Sequence, residues 1–253
     1  MKENARSSPI LGKSLKLLDT LGEQRSLTFT ELAKRTGFPK STLHRLLESL
    51  SFEGLISFNS VKRTYTLGLR PLSWARDAWD TLEIRKLALE EMKKLNDTTG
   101  ETVHLAVLDR DQIVYIEKFE SKQQVRMYSS VGKRAPAYCT GIGKAIIAFL
   151  ESDMQQALTS RLSFKRYTDR TIVNVEALQQ ELLRIRAQGY ARDDGEHEAE
   201  IRCIAAPIVN YMGHSVAGIS VSAPAYRLTP EGIEAWIPLV KEAVARVSAL
   251  TVA

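Results

Sequence analysis

Residues 28–50, TFTELAKRTGFPKSTLHRLLESL, constrain the chain more than any other stretch, because they specify two short helices joined by a tight turn. Thr28 and Glu31 have the spacing of a capping box, in which each side chain accepts a free backbone N–H from the other residue. Leu27 before the cap and Leu32 after it are placed to close a hydrophobic staple over that helix start. Gly37 stands where the first helix needs a left-handed residue to end, and Phe38–Pro39 turn the chain. In the second helix Leu43, Leu46, Leu47 and Leu50 recur as an i, i+3, i+4, i+7 stripe. The remaining face carries Lys40, Ser41, Thr42, His44 and Arg45. Short polar groups and cations at a helix start suit base edges and phosphates in a major groove. Paired amphipathic helices also occur in proteins that never touch nucleic acid, so the pair alone leaves both readings open.

The flanking residues favour the nucleic-acid reading. Leu55–Phe58 and Lys62–Leu67 are strand-like around a short polar turn, a β-hairpin directly after the second helix. That order is a winged helix-turn-helix, whose tip offers Lys62 and Arg63 to phosphate. Leu11, Leu15 and Leu18 predict a first helix packed beneath the pair. Residues 1–70 hold 12 Lys and Arg against 6 Asp and Glu, and the remainder holds 23 against 24. The basic excess of the chain therefore lies wholly in its first 70 residues, as a nucleic-acid footprint requires.

At 253 residues the chain has room for two domains. No apolar run approaches the ~18 residues of a membrane span, and the opening MKENARSSPI has no apolar signal core, so a cytoplasmic location is expected. Cys139 and Cys203 have neither metal-site nor redox spacing and predict no disulfide framework. The first boundary falls near Gly68–Pro71, giving a winged domain over 8–70. Leu72, Ala75, Trp79 and Leu82 form a seam in a linker over 71–97, with Asp80 and Glu83 as a cap for its second helix. Packing on the chain's own domains and a dimer contact are both open for the linker tryptophans. The dimer is preferred, since helix-turn-helix proteins read paired half-sites.

Residues 98–253 read as a mixed domain. Strands are expected at Thr102–Leu108, Ile113–Lys118, Val125–Ser129, Ile201–Val209 and Ser215–Ser222. Helices are expected at Gly141–Leu150, from about Asn174 to Gln188, and after Thr229–Pro230. Hairpins covered by helices make this an α+β domain.

Catalytic and metal chemistry find little footing there. Thr140–Lys144 resembles the end of a phosphate loop, but Tyr138 stands where the first glycine belongs and Ala145 replaces the required Ser or Thr. The spacing of Asp193, His197 and Cys203 fits no standard metal site, and no Gly-x-Ser-x-Gly elbow occurs. No catalytic residue, metal or cofactor is expected. Binding is better supported: Gly141 at a helix start exposes backbone N–H groups that favour an anion. Ser220 and Ser222 share one strand face, as do Ile201 and Cys203. From the residues alone, a small polar pocket and ordinary core packing remain equally open.

The winged unit ending PKSTLHRLLESL, the wing RTYTLG, and the stretches GKRAPAYCTGIGKAIIAF, DDGEHEAEIRCIAAPI and AGISVSAP occur in that order. Together they resemble an IclR-family transcriptional regulator over about residues 8–250. The resemblance implies a winged helix-turn-helix, a linker helix and a C-terminal GAF-like effector-binding domain. It also implies homodimers, in cases tetramers, on palindromic double-stranded operator DNA. Onto this sequence it carries Gly141 and Ile142 as amides for an effector carboxylate, and Asp193, Cys203, Ser220 and Ser222 as the polar side. Met127, Ala135 and Ile201 become the apolar wall, with Ile142 bulkier than the alanine common at its position. VRMYSSVGKRAPAY is similar to members that sense sugar acids; others sense 2-oxo or aromatic acids. The expectation is a repressor under control of a small organic acid such as a sugar acid or 2-oxo acid, not an enzyme. A small-molecule enzyme fused to a DNA-binding domain is the alternative.

Overall fold

In the computed structural model, which describes residues 8–123, 127 and 129–251, the Thr28–Glu31 capping box is formed. Thr28 N–H donates to Glu31 Oε2 at 2.7 Å, and Glu31 N–H donates to Thr28 Oγ1 at 3.3 Å. Helix α2 (Phe29–Thr36) therefore starts where the sequence placed it, and Gly37 ends it at φ 71°. At that φ a Cβ strains the backbone, which is why glycine serves there. Helix α3 (Lys40–Phe52) follows, burying Leu43, Leu46, Leu47 and Leu50.

These helices belong to the first of two compact units, Met1–Thr81 and Leu82–Ala253. Strand β1 (Leu27–Thr28), β2 (Ile56–Asn59) and β3 (Thr64–Leu67) form an antiparallel sheet in the order β1-β3-β2. Helix α1 (Pro9–Glu23) completes the core, but through Leu17 and Leu21, with Leu18 partly buried. The expected stripe of Leu11 and Leu15 is exposed. Leucines fill two faces of this helix, and the sheet and α2 accept the one a turn further on. Helix α4 (Arg70–Asp80) buries no residue.

In the second unit, helix α5 (Glu83–Thr99) has Leu82 as its N-cap with no side-chain cap. The expected Asp80–Glu83 cap is not made, because Asp80 is still the last residue of α4, with its carboxylate 3.7 Å from Arg76. Strands β4 (Thr102–Asp109), β5 (Gln112–Phe119), β6 (Arg134–Pro136), β7 (Ala191–Asp194), β8 (Ile201–Val209) and β9 (Ser215–Pro224) form one antiparallel sheet, ordered β6-β5-β4-β9-β8-β7. The expected strand at Val125–Ser129 falls largely outside the described residues, and Met127 and Ser129 lie in no strand.

Alternation along the strands gives the sheet two apolar faces. One packs on α5 and on α9 (Pro230–Ser248) through residues such as Leu105, Ile204, Ile219 and Val221. The other packs on α6 (Gly141–Ala148) and α8 (Val175–Gln188) through Ala106, Ile113 and Ala205; α7 (Ser152–Thr159) lies between α6 and α8 in sequence. Every residue of α6 is buried. A side chain fully removed from water contributes roughly 1.5–3 kcal/mol, so this helix is held firmly on the sheet.

Candidate functional site

In the first unit the polar face of α3 is open. Lys40, Ser41, His44 and Arg45 are exposed and Thr42 is half-buried. The β2–β3 turn is shaped by Asn59, whose Oδ1 accepts the N–H groups of Val61 (3.1 Å) and Lys62 (2.9 Å). Arg63 completes it at φ 54°. Lys62 and Arg63 are thus both exposed at the hairpin tip. A groove of about 930 Å³ runs between the start of α2, the α3 face and this tip, lined by residues including Thr30, His44, Phe58, Arg63 and Tyr65. Thr30, Phe58 and Tyr65 were not singled out in the sequence; the two aromatic residues stand opposite each other across β2 and β3 with centroids 4.7 Å apart, a pairing that hairpin register alone reveals.

The second unit holds a cavity of about 390 Å³ where the N-terminus of α6 meets the sheet. Strand register builds its polar floor. Asp193 of β7 pairs with Cys203 of β8, which pairs with Ser222 of β9. One row along, Ser220 pairs with His104 of β4. Met127, Gly141, Ile142, Asp193, Ile201, Cys203, Ser220 and Ser222 all line the cavity. Ala135 does not: it pairs with Ile113 at the β5–β6 edge and is buried in the core. Five further lining residues were not assigned to a pocket from the sequence: His104, Tyr115, Thr140, His197 and Glu198. Their place depends on strand register and on a turn, which local patterning does not reveal.

The start of α6 is capped by the Thr140 side chain. Thr140 Oγ1 accepts the N–H of Gly143 (3.3 Å), and Lys144 N–H bonds back to Thr140 O (2.9 Å). That leaves Gly141 and Ile142 as donors at the positive end of the helix dipole. The Cys203 sulfur lies close against Gly141, whose backbone N–H favours negative charge there, and sulfur is a weak acceptor that an oxygen anion can replace. A Cβ on Gly141 would fall 2.5 Å from Cys203 Sγ, so only glycine permits this approach. The bulk of Ile142 is directed at the sheet, where Gly218 makes room for it.

Burial fixes most protonation states. It holds the Cys203 thiol and the Tyr115 phenol well above their usual ranges, so both stay neutral. Burial, helped by the Lys118 charge, lowers His104 to about 3, leaving a neutral ring whose Nε2 lies 2.7 Å from Ser129 Oγ. Asp193 is raised to about 7, first by burial and then by the Glu196 charge, against a 2.8 Å hydrogen bond from Glu196 N–H.

Beneath the cavity lies a buried ion pair. Lys144, 1 % exposed, bonds to Glu196 and lies 3.6 Å from Glu181. Burial alone would lower its pKa, but the carboxylates outweigh it and hold the ammonium charged. Thr168 Oγ1 donates to Gly195 O (2.7 Å) and Thr171 Oγ1 to Glu196 O (2.6 Å). The turn carrying His197 and Glu198 is thereby pinned. Among the described residues no cluster of His, Cys, Asp and Glu is arranged to hold a metal.

A family model described as the bacterial transcriptional regulator IclR C-terminal domain matches residues 77–249, and one for the IclR helix-turn-helix domain matches residues 11–60. The chain is similar to the HTH-type transcriptional regulator KdgR of Escherichia coli (strain K12), with 36% identity over 92% of this chain and 89% of that one. It is also similar to the transcriptional repressor IclR of the same strain, with 30% identity over 94% and 88% of the two chains. The crystal structure of the Thermotoga maritima IclR matches with a TM-score of 0.76 and 30% identity, covering 95% of this chain and 97% of that chain.

Proposed function

The chain belongs to the IclR family of bacterial transcriptional regulators, and on that premise we propose that a small organic acid sets its hold on operator DNA. One observation carries this reading: the Gly141–Ile142 amides share a cavity with Asp193, Cys203, Ser220 and Ser222. The amides and helix dipole receive the effector's carboxylate. The serine hydroxyls serve its oxo or hydroxyl groups, and Ile201 and Met127 pack its carbon chain. A sugar acid or 2-oxo acid has this mix of groups. The relatives match as regulators over most of the chain, which does not favour an enzyme fused to a DNA-binding domain.

In the output arm, α3 enters the major groove, where Ser41, Thr42, His44 and Arg45 read or position bases and Lys40 meets phosphate. Lys62 and Arg63 grip the backbone from the hairpin tip. The division of labour follows residues 8–70 for DNA, 71–97 as linker and 98–253 for the effector. Ile10, Leu11, Leu15, Leu69, Leu72 and Trp74 are exposed in the first unit. Apolar surface of this extent supports a homodimer reading paired half-sites, with tetramers formed from dimers. No helix among the described residues is long and apolar enough to cross a membrane, and we place the protein with its DNA in the cytoplasm, acting as a repressor. The acid acts by binding one arrangement of the dimer more tightly than the other.

A thermal-shift screen of organic acids against the full chain tests this. At least one acid is expected to stabilise the protein, and Ser220→Ala with Ser222→Ala to weaken that effect. Stabilisation that survives both substitutions and Gly141→Ala would refute the site.

A further inference from the structure

We propose that Asp193 joins the amides as a hydrogen-bond donor to the effector, and that a carboxylate effector binds together with one proton taken onto Asp193 from solvent. This rests on the reading of the cavity as the effector site.

The geometry sets the requirement. Asp193 Cβ lies 3.4 Å from where a Cβ on Gly141 would stand, so its carboxyl flanks the α6 N-terminus directly. It is 7 % exposed and lines the cavity. A ligand carboxylate on the Gly141 and Ile142 amides therefore arrives beside it. Two carboxylates in such a space cannot both stay ionised, and the proton they share forms a short, charge-assisted bond.

The neighbouring groups decide which one takes the proton. From α6, Lys144 is committed to Glu196, with Glu181 of α8 beyond it, and Glu181 in turn pairs with the largely exposed Arg184 at 3.2 Å. The ligand would thus add a further negative charge beside Asp193 and Glu196, with the buried Lys144 ammonium as the cation acting on both. Cys139, Cys203 and Tyr115 already hold their protons, because burial raises all three. His104 of β4 is kept neutral by burial and by Lys118. His197 is disfavoured as a cation by burial, though Glu198 lies 3.8 Å from its Nδ1. Asp193 remains, and at about 7 it is already half protonated at neutral pH without ligand.

The step balances without covalent chemistry: ionised Asp193, a solvent proton and a carboxylate anion give a carboxylic acid hydrogen-bonded to the anion. At pH 6 the proton is already present and uptake is small; at pH 8 nearly one proton is taken up per site. Linkage then weakens anion binding about tenfold from pH 6 to pH 8. The site would respond jointly to the acid and to the proton concentration.

Calorimetric titration of the full chain with acetate, pyruvate, gluconate and 4-hydroxybenzoate tests this, at pH 6 in phosphate and in bis-Tris and at pH 8 in phosphate and in Tris. The two buffers' ionisation enthalpies give the proton count directly in the unaltered protein. Uptake near one at pH 8 and well below one at pH 6 is expected, with Asp193→Asn abolishing both uptake and pH slope. Binding with no uptake at pH 8 overturns the proposal and leaves the site standing. A slope that persists in Asp193→Asn and disappears in His197→Gln moves the proton to His197 and overturns it equally. If none of the four acids binds at either pH, the site reading falls, and this proposal with it.

Discussion

Replacing Lys144 by Met leaves the carboxylate of Glu196 without its counter-charge beneath the cavity. The Lys144 side chain is 1 % exposed, bonds to Glu196 and lies 3.6 Å from Glu181. Glu196 Oε2 has no hydrogen-bond partner among the described residues, so the ammonium is the main compensation for that carboxylate. Removing one partner of a buried pair costs roughly 3–5 kcal/mol, whereas replacing both by neutral groups is often close to neutral. In a domain of this size about 1 kcal/mol moves the unfolding midpoint by roughly 2–4 °C. Lys144→Met should therefore lower the midpoint of the second unit by ~6–20 °C, and Lys144→Met with Glu196→Gln should regain most of the loss. Scanning calorimetry of the four proteins of this cycle at pH 7.5 gives the coupling. The deficit of the single variant should shrink toward pH 5, because its isolated Glu196 has a raised pKa and protonation relieves it. A loss below about 1 kcal/mol, or a double variant equal to the sum of the singles, would refute the buried-pair argument.

Gly141→Ala would press a Cβ to 2.5 Å from Cys203 Sγ; acid binding should fall by on the order of tenfold or more in calorimetry, as a one-methyl displacement of the amide donors removes oriented hydrogen bonds. Leu43 is fully buried in the first unit, so Leu43→Ala should cost about 2–5 kcal/mol in denaturant titration of that unit. Asp193 is raised from 3.8 to about 7, so between those values the folded state binds more protons than the unfolded one. Its contribution is therefore lost as pH rises, falling by about 4 kcal/mol between pH 4 and 8, and Asp193→Asn should flatten that part of the stability profile. Arg45→Ala should weaken specific DNA by ~1–3 kcal/mol, while Lys62→Ala should weaken all sequences alike and reduce the salt slope by about one. Fluorescence anisotropy on operator and random duplexes separates the two.

What could be read from the sequence was local. Thr28, Glu31 and Gly37 specify one helix within ten residues, and the leucine stripe of α3 has one face to bury. In α1 two leucine faces compete, and only the partner's shape chooses Leu17 and Leu21 over Leu11 and Leu15. The amide end of the cavity was legible because Gly141 and Gly143 mark a helix start. His104 and Tyr115 enter through strand register, and Lys144 meets Glu196 across 52 residues, so no spacing rule points to either. The short edge strands β6 and β7 carry too few residues to show alternation.

The central claim is that an acid in the second unit's cavity governs the first unit's hold on DNA. The most direct measurement selects the highest-affinity duplex from fragmented genomic DNA of the source organism, then titrates it with protein at ~150 mM salt, with and without an acid shown to bind. The acid should change operator affinity at least several-fold, in line with a coupling of about 1–3 kcal/mol, and Gly141→Ala should abolish that change while the variant still binds the operator. Operator affinity that stays the same at saturating acid would contradict the account.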